Sequence, residues 1–213
     1  MRIVNIAVLA TALAALTGVH GVARAAQDAG SESAQQLFEA GEYERALAAL
    51  QEERDAASAS TENHYLASLV LLRLSPPQVD RAHAELDAVR SDEREAWQHT
   101  ADSAAALAAN DTTAALEAAT AAVAADPMLF AAQYQLGLAH ARAENWPAAA
   151  EAFERATDLD PAFAYAHYYA GIAYSRLRRA DVEARHFELF IRLAPKAPER
   201  LAVESIMRTL RGR

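Results

Sequence analysis

Three of the seven prolines in this chain recur at a fixed interval, because Pro127, Pro161 and Pro195 are spaced by 34 residues and again by 34. Two glycines keep the same interval, since Gly137 and Gly171 each lie 24 residues before a proline of the series. A period of about 20 to 50 residues is typical of stacked supersecondary units, each of which buries its apolar face against its neighbour. The sequence therefore predicts a repeat array.

The repeating unit also carries an alanine and an aromatic residue in a constant order. Phe153 and Phe187 each precede a repeat proline by eight residues, and Ala149 precedes Pro161 by twelve. A 34-residue unit with a small residue, Ala, Phe and Pro in this order resembles the tetratricopeptide repeat. The resemblance implies an all-α fold, a right-handed α-solenoid of about five helical hairpins with a C-terminal capping helix.

The resemblance extends over about residues 33–211. We place the hairpins at about 33–58, 60–92, 96–129, 130–163 and 164–197, with a capping helix over 198–211. The third copy departs furthest from the pattern, since Ala119 stands where the other copies have Phe or Leu. In the capping helix we expect Leu201, Ile206 and Leu210 near one face, which would cover the last repeat.

Composition agrees with helices and excludes several classes of site. Alanine, the best helix former, makes up about a quarter of the chain, far above ordinary usage. The absence of Cys excludes a disulfide scaffold, a thiolate zinc site and a cysteine nucleophile. A net charge of -9 disfavours nucleic acid as a partner, because phosphates require a basic surface.

The first 25 residues have the three-part pattern of a secretory signal peptide. A short positive start, Met1-Arg2, precedes an apolar run from Ile3 to Leu16, and Ala23-Arg24-Ala25 supplies the small residues of a cleavage site. We expect cleavage after Ala25, a disordered leader over 26–32, and a periplasmic or secreted protein that does not insert into a membrane. An uncleaved N-terminal anchor remains an alternative.

Motifs of catalysis, metal binding or cofactor binding are not found. No His lies four residues from another His, and neither a G-x-S-x-G motif nor a phosphate-binding glycine loop is present. His99, His140 and His167 fall at packing positions of the repeat. We therefore expect no catalytic residue, no metal ligand and no cofactor.

One set of residues suggests a binding surface. In the family that the chain resembles, the first helices of successive repeats line a concave groove, which commonly holds a segment of a partner protein. By register, that groove would contain Trp97, Tyr134, Arg142, Tyr165, Tyr168 and Arg176. Tyr, Trp and Arg are the residue types that most often dominate binding energy. The alternative is that the tyrosines pack against neighbouring helices and that the arginines pair with local carboxylates.

These observations predict a non-enzymatic scaffold of the cell envelope. Its groove would hold part of another exported or envelope protein, of unknown identity. Two other functions remain open: a glycan-binding module, for which peptidoglycan is the natural ligand in that compartment, and an enzyme whose site has no recognised motif.

Overall fold

The computed structural model describes residues 32–56 and 60–211. The predicted signal peptide, 1–25, and the predicted leader, 26–32 except for its last residue, lie outside the described residues. The described ranges contain eleven helices and no strand: α1 Ala34–Glu39, α2 Tyr43–Ala56, α3 Thr61–Arg73, α4 Val79–Arg90, α5 Glu95–Ala108, α6 Thr112–Ala125, α7 Phe130–Arg142, α8 Trp146–Leu159, α9 Ala164–Arg176, α10 Ala180–Leu193 and α11 Arg200–Arg211. None of these helices has the length and apolar content needed to cross a membrane.

The helices pair in chain order into five hairpins, which we number repeats 1 to 5, from α1/α2 to α9/α10. Each helix packs on the next along the chain, and the first helices α3, α5, α7 and α9 also contact one another in series. The last helix, α11, packs against α10. The predicted all-α stack of helical hairpins with a C-terminal capping helix is therefore confirmed.

The turns inside repeats 3, 4 and 5 have the same backbone conformation. Asn110, Glu144 and Arg178 occupy the same register position and have φ values of 60°, 56° and 58°. In repeat 4 the next residue, Asn145, donates its backbone N–H to the carbonyl of His140 at 2.9 Å, which closes the end of α7. The left-handed residue reverses the chain direction, so that the second helix returns along the first.

The glycines of the 34-residue series lie where the two helices of a hairpin are closest. A Cβ atom on Gly137 would lie 2.5 Å from Cε1 of Phe153, and a Cβ atom on Gly171 would lie 2.5 Å from Cε1 of Phe187. Both phenyl rings are buried. Each glycine therefore provides the space that the repeat phenylalanine fills.

Repeat 3 has small side chains at the equivalent positions. The Ser103 hydroxyl donates to the carbonyl of Ala115 at 3.0 Å, and Ala119 takes the place of the phenylalanine. Ala101 and Ala104 are buried in the same cluster as Ala131, the second residue of α7. These small residues allow α5 and α7 to make closer contact than the other pairs of first helices.

The capping helix packs on a different face from the one we expected. Val203 and Met207 are buried, and Leu210 is half-buried. Leu201 is 77% exposed, and Ile206 is also exposed. The spacing of four residues places Val203 and Met207 on the same side of a helix, whereas Leu201 lies about 160° around the axis from Val203.

Candidate functional site

The surface formed by the first helices α3, α5, α7 and α9, here called the inner face, curves strongly. Side chains of repeats 2 and 4 therefore contact each other. The Gln135 side-chain amide donates to the Tyr65 hydroxyl at 2.8 Å, and both residues are buried. The small residues of repeat 3 lie between these two repeats.

The same curvature brings repeat 1 to repeat 5. The ring of Phe38 lies 5.2 Å from the ring of Tyr165 and 6.3 Å from that of Phe163, measured between centroids. Beside it, the Glu39 carboxylate accepts the backbone N–H of Ala164 at 2.8 Å, at the first residue of α9. We call this contact between the first repeat and the C-terminal part of the array the seam.

Repeat 2 contributes one arginine to the seam. The Arg73 guanidinium lies 4.3 Å from the ring centroid of Tyr165, within the range of a cation–π contact. It donates to the Tyr169 hydroxyl at 2.8 Å and to Glu199 at 3.1 Å. The Tyr165 hydroxyl donates to the same Glu199 carboxylate at 2.9 Å. One arginine thus connects α3, α9 and the start of the capping segment.

Glu39 is a buried acid at the centre of the seam. Burial raises its pKa to about 7, against the opposing effect of the hydrogen bond from Ala164. Gln35 also donates to it, at 3.4 Å, and the carboxylate of Asp160 adds to the rise of the pKa. At neutral pH this carboxyl group is therefore partly protonated.

Three of the six predicted groove residues are covered by the protein itself. Trp97 and Tyr134 are 2% exposed, and Tyr165 is completely buried. Trp97 packs edge-on against Tyr65, whereas Tyr134 lies among the rings of Phe130, Phe163 and other aromatic residues. The expectation of an open groove lined by these rings is not met, because the curvature of the array turns the inner face into an internal core.

The other three predicted residues keep some access to solvent. Tyr168 is half-buried, with its ring 5.0 Å from that of Phe190. Arg142 and Arg176 are exposed, at the last residues of α7 and α9. We call the edge that contains Arg142, Trp146 and Arg176 the rim.

Both arginines contact the preceding repeat, as the packing alternative expected, but neither pairs with an acid. Arg142 donates to the side-chain carbonyl of Asn110, and the Arg176 guanidinium lies 5.2 Å from the ring centroid of Trp146. Within the described ranges, no ion pair joins either arginine to a carboxylate. Their positive charges are therefore left without a local counter-charge.

Sequence reasoning missed the polar residues of the seam and of the inner face. They are Glu39, Tyr65, Arg73, Gln135, Tyr169 and Glu199. One signal was available, because Arg73 is the last residue of α3 just as Arg142 is of α7 and Arg176 is of α9. What distinguishes Arg73 is the contact with repeat 5, which no periodicity encodes.

A second polar cluster joins α8, α9 and α10. The Nδ1 atoms of His167 and His186 are 3.1 Å apart, and the Nε2 atom of His186 is 3.0 Å from Glu154. Burial lowers the pKa of both histidines. In the described part of the chain, no group of three or more His, Asp or Glu side chains is placed to hold a metal ion.

Comparison with known proteins identifies the family. A model described as "tetratricopeptide repeat" matches residues 103–161 and 134–198. No curated protein sequence matches the chain. Among solved structures, a thermophilic tetratricopeptide repeat protein of Thermus thermophilus is 17% identical, with 83% of this chain and 94% of that chain covered and a TM-score of 0.58.

Two further structures are similar at TM-scores of 0.50. YrrB, titled a tetratricopeptide repeat protein with an unusual peptide-binding site, is 22% identical, with 81% of this chain and 88% of that chain covered. The first tetratricopeptide repeat domain of Spaghetti (RPAP3), titled as bound to an HSP90 peptide, is 17% identical, with 57% of this chain and 96% of that chain covered. These identities support the fold alone. The family model and the five stacked hairpins together show that this chain is a tetratricopeptide repeat protein.

Proposed function

We propose that this protein is a non-enzymatic scaffold that holds a segment of another protein along its rim. The observation that carries the proposal is the pair formed by Arg142 and Arg176. They occupy the same position in successive repeats, both are exposed, and no described carboxylate pairs with either. Their spacing by one repeat suits an extended segment that crosses repeats 4 and 5.

The charge of the rim suggests the chemistry of the segment. The chain as a whole has a net charge of -9, so two unpaired guanidinium groups on one edge stand out locally. A guanidinium group recognises a carboxylate through two parallel N–H···O bonds, which give both strength and orientation. We therefore expect the bound segment to carry acidic side chains.

An aromatic surface lies beside the arginines. Trp146 is half-buried, and its ring supports the Arg176 guanidinium. Tyr168 is half-buried on the same helix as Arg176. An aromatic ring beside an arginine can exclude water from a charge-assisted contact, which is the arrangement common at the centre of protein interfaces.

Two of the similar structures support a peptide-binding role for this fold. The domain of Spaghetti is titled as bound to an HSP90 peptide, and YrrB is titled as having a peptide-binding site. The fold that these proteins share with the present chain can therefore present a protein segment with a surface of stacked helices.

The proposed location is the cell envelope. The support is the pattern of Met1 to Ala25, which is that of a secretory signal peptide. A fusion of residues 1–32 to a reporter enzyme that is active only after export would test it. Activity outside the cytoplasm is the expected result, and a reporter retained in the cytoplasm would contradict it.

The partner-binding proposal is tested by affinity capture. The purified protein is immobilised and exposed to envelope extract, and retained proteins are cross-linked and identified. The variant Arg142→Gln/Arg176→Gln should retain the partner at least tenfold less well, because two charge-assisted contacts of roughly 1.5 to 3 kcal/mol each are lost. Arg81→Gln, a substitution of an exposed arginine on α4, is the matched control and should bind as well as the wild type.

Three results would contradict the proposal. The first is equal capture by the wild type and the double variant at unchanged helicity. The second is sedimentation with insoluble cell wall in place of protein capture, which would indicate glycan binding. The third is turnover of a substrate by the purified protein, which would indicate an enzyme.

A further inference from the structure

The seam shows what kind of side chains the inner face accepts. The ring of Phe38 lies against Tyr165 and Phe163 and is itself 1% exposed. The next residue, Glu39, places its carboxylate on the backbone N–H of Ala164. An aromatic residue followed by an acid thus fits a pocket at the start of α9.

The pocket has features suited to this pair of residues. The N-terminus of a helix carries partial positive charge and free N–H groups, which favour a carboxylate. Tyr165 and Phe163 provide an aromatic surface, and the Arg73 guanidinium lies 5.9 Å from the Phe38 ring. Here the helix terminus is accompanied by a buried carboxylate that is bound to it, and by rings that clasp the neighbouring side chain.

The segment that fills the pocket is a short helix near one end of the array. The helix α1 has only six residues, which is too few to be stable by its own hydrogen bonds. In a repeat array each repeat is stabilised by its neighbours, so repeats 2 to 5 keep their mutual contacts when α1 leaves. Short terminal elements of this kind open locally at low cost compared with the core.

We propose that this pocket, formed by Phe163 to Tyr165 and Arg73, is a second protein-binding site, which recognises an aromatic–acidic pair of residues and is occupied in the free protein by Phe38 and Glu39. A partner segment with the same pair of side chains competes with α1 for the pocket. The free protein is thus self-inhibited at this site. The inference rests on the proposed function only in supposing that the competing segment comes from a partner protein.

The occupant in the chain has a large advantage over a partner. A tethered segment acts at an effective concentration of millimolar order, so a partner must bind more tightly or bring a second contact. The rim can provide that second contact, because Arg142 and Arg176 lie on α7 and α9, and α9 begins at the pocket. A partner that carries both an acidic stretch and an aromatic–acidic pair would engage both sites.

The test uses a synthetic peptide with the sequence of residues 33–43 and the full chain. In the variant Phe38→Ala/Glu39→Gln the pocket loses its own occupant, and we expect the peptide to bind this variant at least tenfold more tightly than the wild type. A control peptide in which the position of Phe38 carries Ala should bind the variant at least tenfold more weakly. Isothermal titration measures all four combinations.

Binding of neither peptide to the variant would overturn the inference, and so would equal binding to the variant and the wild type. A second measurement requires neither a variant nor a partner. Amide hydrogen exchange of the wild type should be faster over residues 34–40 than over α9. Equal rates in the two segments would show that α1 leaves only on global unfolding, which would also overturn the inference.

The two proposals fail separately. Peptide binding to the pocket and hydrogen exchange of α1 do not involve Arg142 or Arg176. Loss of partner capture in the rim variant involves neither Phe38 nor Glu39. A negative result at one site therefore leaves the other proposal standing.

Discussion

At the scale of single residues, the turn of repeat 4 shows a cost that the fold accepts. Glu144 has a φ of 56°, which is in the left-handed region, where a residue with a Cβ atom is disfavoured. Repeat 1 uses Gly41 at the corresponding point of its turn, with a φ of 76°. Glycine adopts this conformation without steric cost, so repeat 1 has the less strained solution.

We predict that Glu144→Gly stabilises the protein. The left-handed conformation costs a non-glycine residue roughly 1 to 2 kcal/mol, and glycine loses roughly 0.5 to 1 kcal/mol of additional backbone entropy on folding. The net gain should raise the denaturation midpoint in urea. Glu144→Ala is the control, because it removes the same side chain and keeps the strain. A midpoint for the glycine variant no higher than that of the alanine variant would contradict the prediction.

A second residue-scale prediction concerns Glu39. Burial raises its pKa to about 7 in the folded protein, from an ordinary value of 4.5. Between these two pH values the folded state binds more protons than the unfolded state, so stability decreases as pH rises. The contribution of Glu39 is complete below about pH 4.5 and is lost as pH rises through about 7, with a slope of at most about 1.4 kcal/mol per pH unit.

Thermal unfolding at pH 5, 6, 7 and 8 measures this effect. The difference in stability between the wild type and Glu39→Gln isolates the contribution of Glu39 from those of other titrating groups. We expect this difference to change steadily with pH, in the sense that the wild type weakens relative to the variant as pH rises. A constant difference from pH 5 to pH 8 would show that the buried carboxyl has an ordinary pKa.

At the scale of helices, the glycine–phenylalanine contact sets the distance between the two helices of a hairpin. Its geometry is the same in repeats 4 and 5, with 2.5 Å between the Cβ position on the glycine and Cε1 of the phenylalanine. Real Cβ atoms do not approach an aromatic carbon so closely. Any side chain on the glycine therefore forces either the ring or the second helix to move.

We predict that Gly171→Ala destabilises the protein by about 1 to 3 kcal/mol, the usual cost of overpacking a core. Ser103→Ala is the matched control, because repeat 3 has Ala119 where repeat 5 has Phe187. It removes one buried hydrogen bond, worth roughly 1 kcal/mol, and adds no clash. Urea denaturation of both variants measures the difference. A smaller loss in Gly171→Ala than in Ser103→Ala would show that the ring relaxes freely.

At the scale of the whole array, the small residues of repeat 3 determine how strongly the stack of first helices curves. Ala104 is buried with Ala101 and Ala131 between α5 and α7. A bulkier residue there forces these two helices apart. Because each repeat is positioned by its neighbour, a small rotation at this interface displaces repeat 1 from repeat 5.

We therefore predict that Ala104→Leu opens the seam while the helices remain. Small-angle X-ray scattering should show a larger radius of gyration, and circular dichroism should show unchanged helicity. Ala124→Leu, which places the same side chain at an exposed position on α6, should leave the radius of gyration unchanged. An unchanged radius for Ala104→Leu would mean that the curvature does not depend on the small residues of repeat 3.

The sequence by itself determined the repeating unit. The interval of 34 residues between Pro127, Pro161 and Pro195 indicated the hairpins and their order, and the glycines of the series indicated where two helices would meet closely. This information is local, because the contacts within a hairpin join residues less than 20 positions apart. Periodicity is therefore sufficient to predict them.

Only the tertiary structure decided how the hairpins curve and what the inner face contains. Tyr165 was predicted to face a groove and is instead buried by Phe38 and Arg73, residues from the other end of the array. Curvature is the sum of small rotations at the interfaces between repeats, and side-chain volumes at those interfaces set each rotation. A repeat period carries no record of that sum, so the contact between the first and last repeats could be seen only in three dimensions.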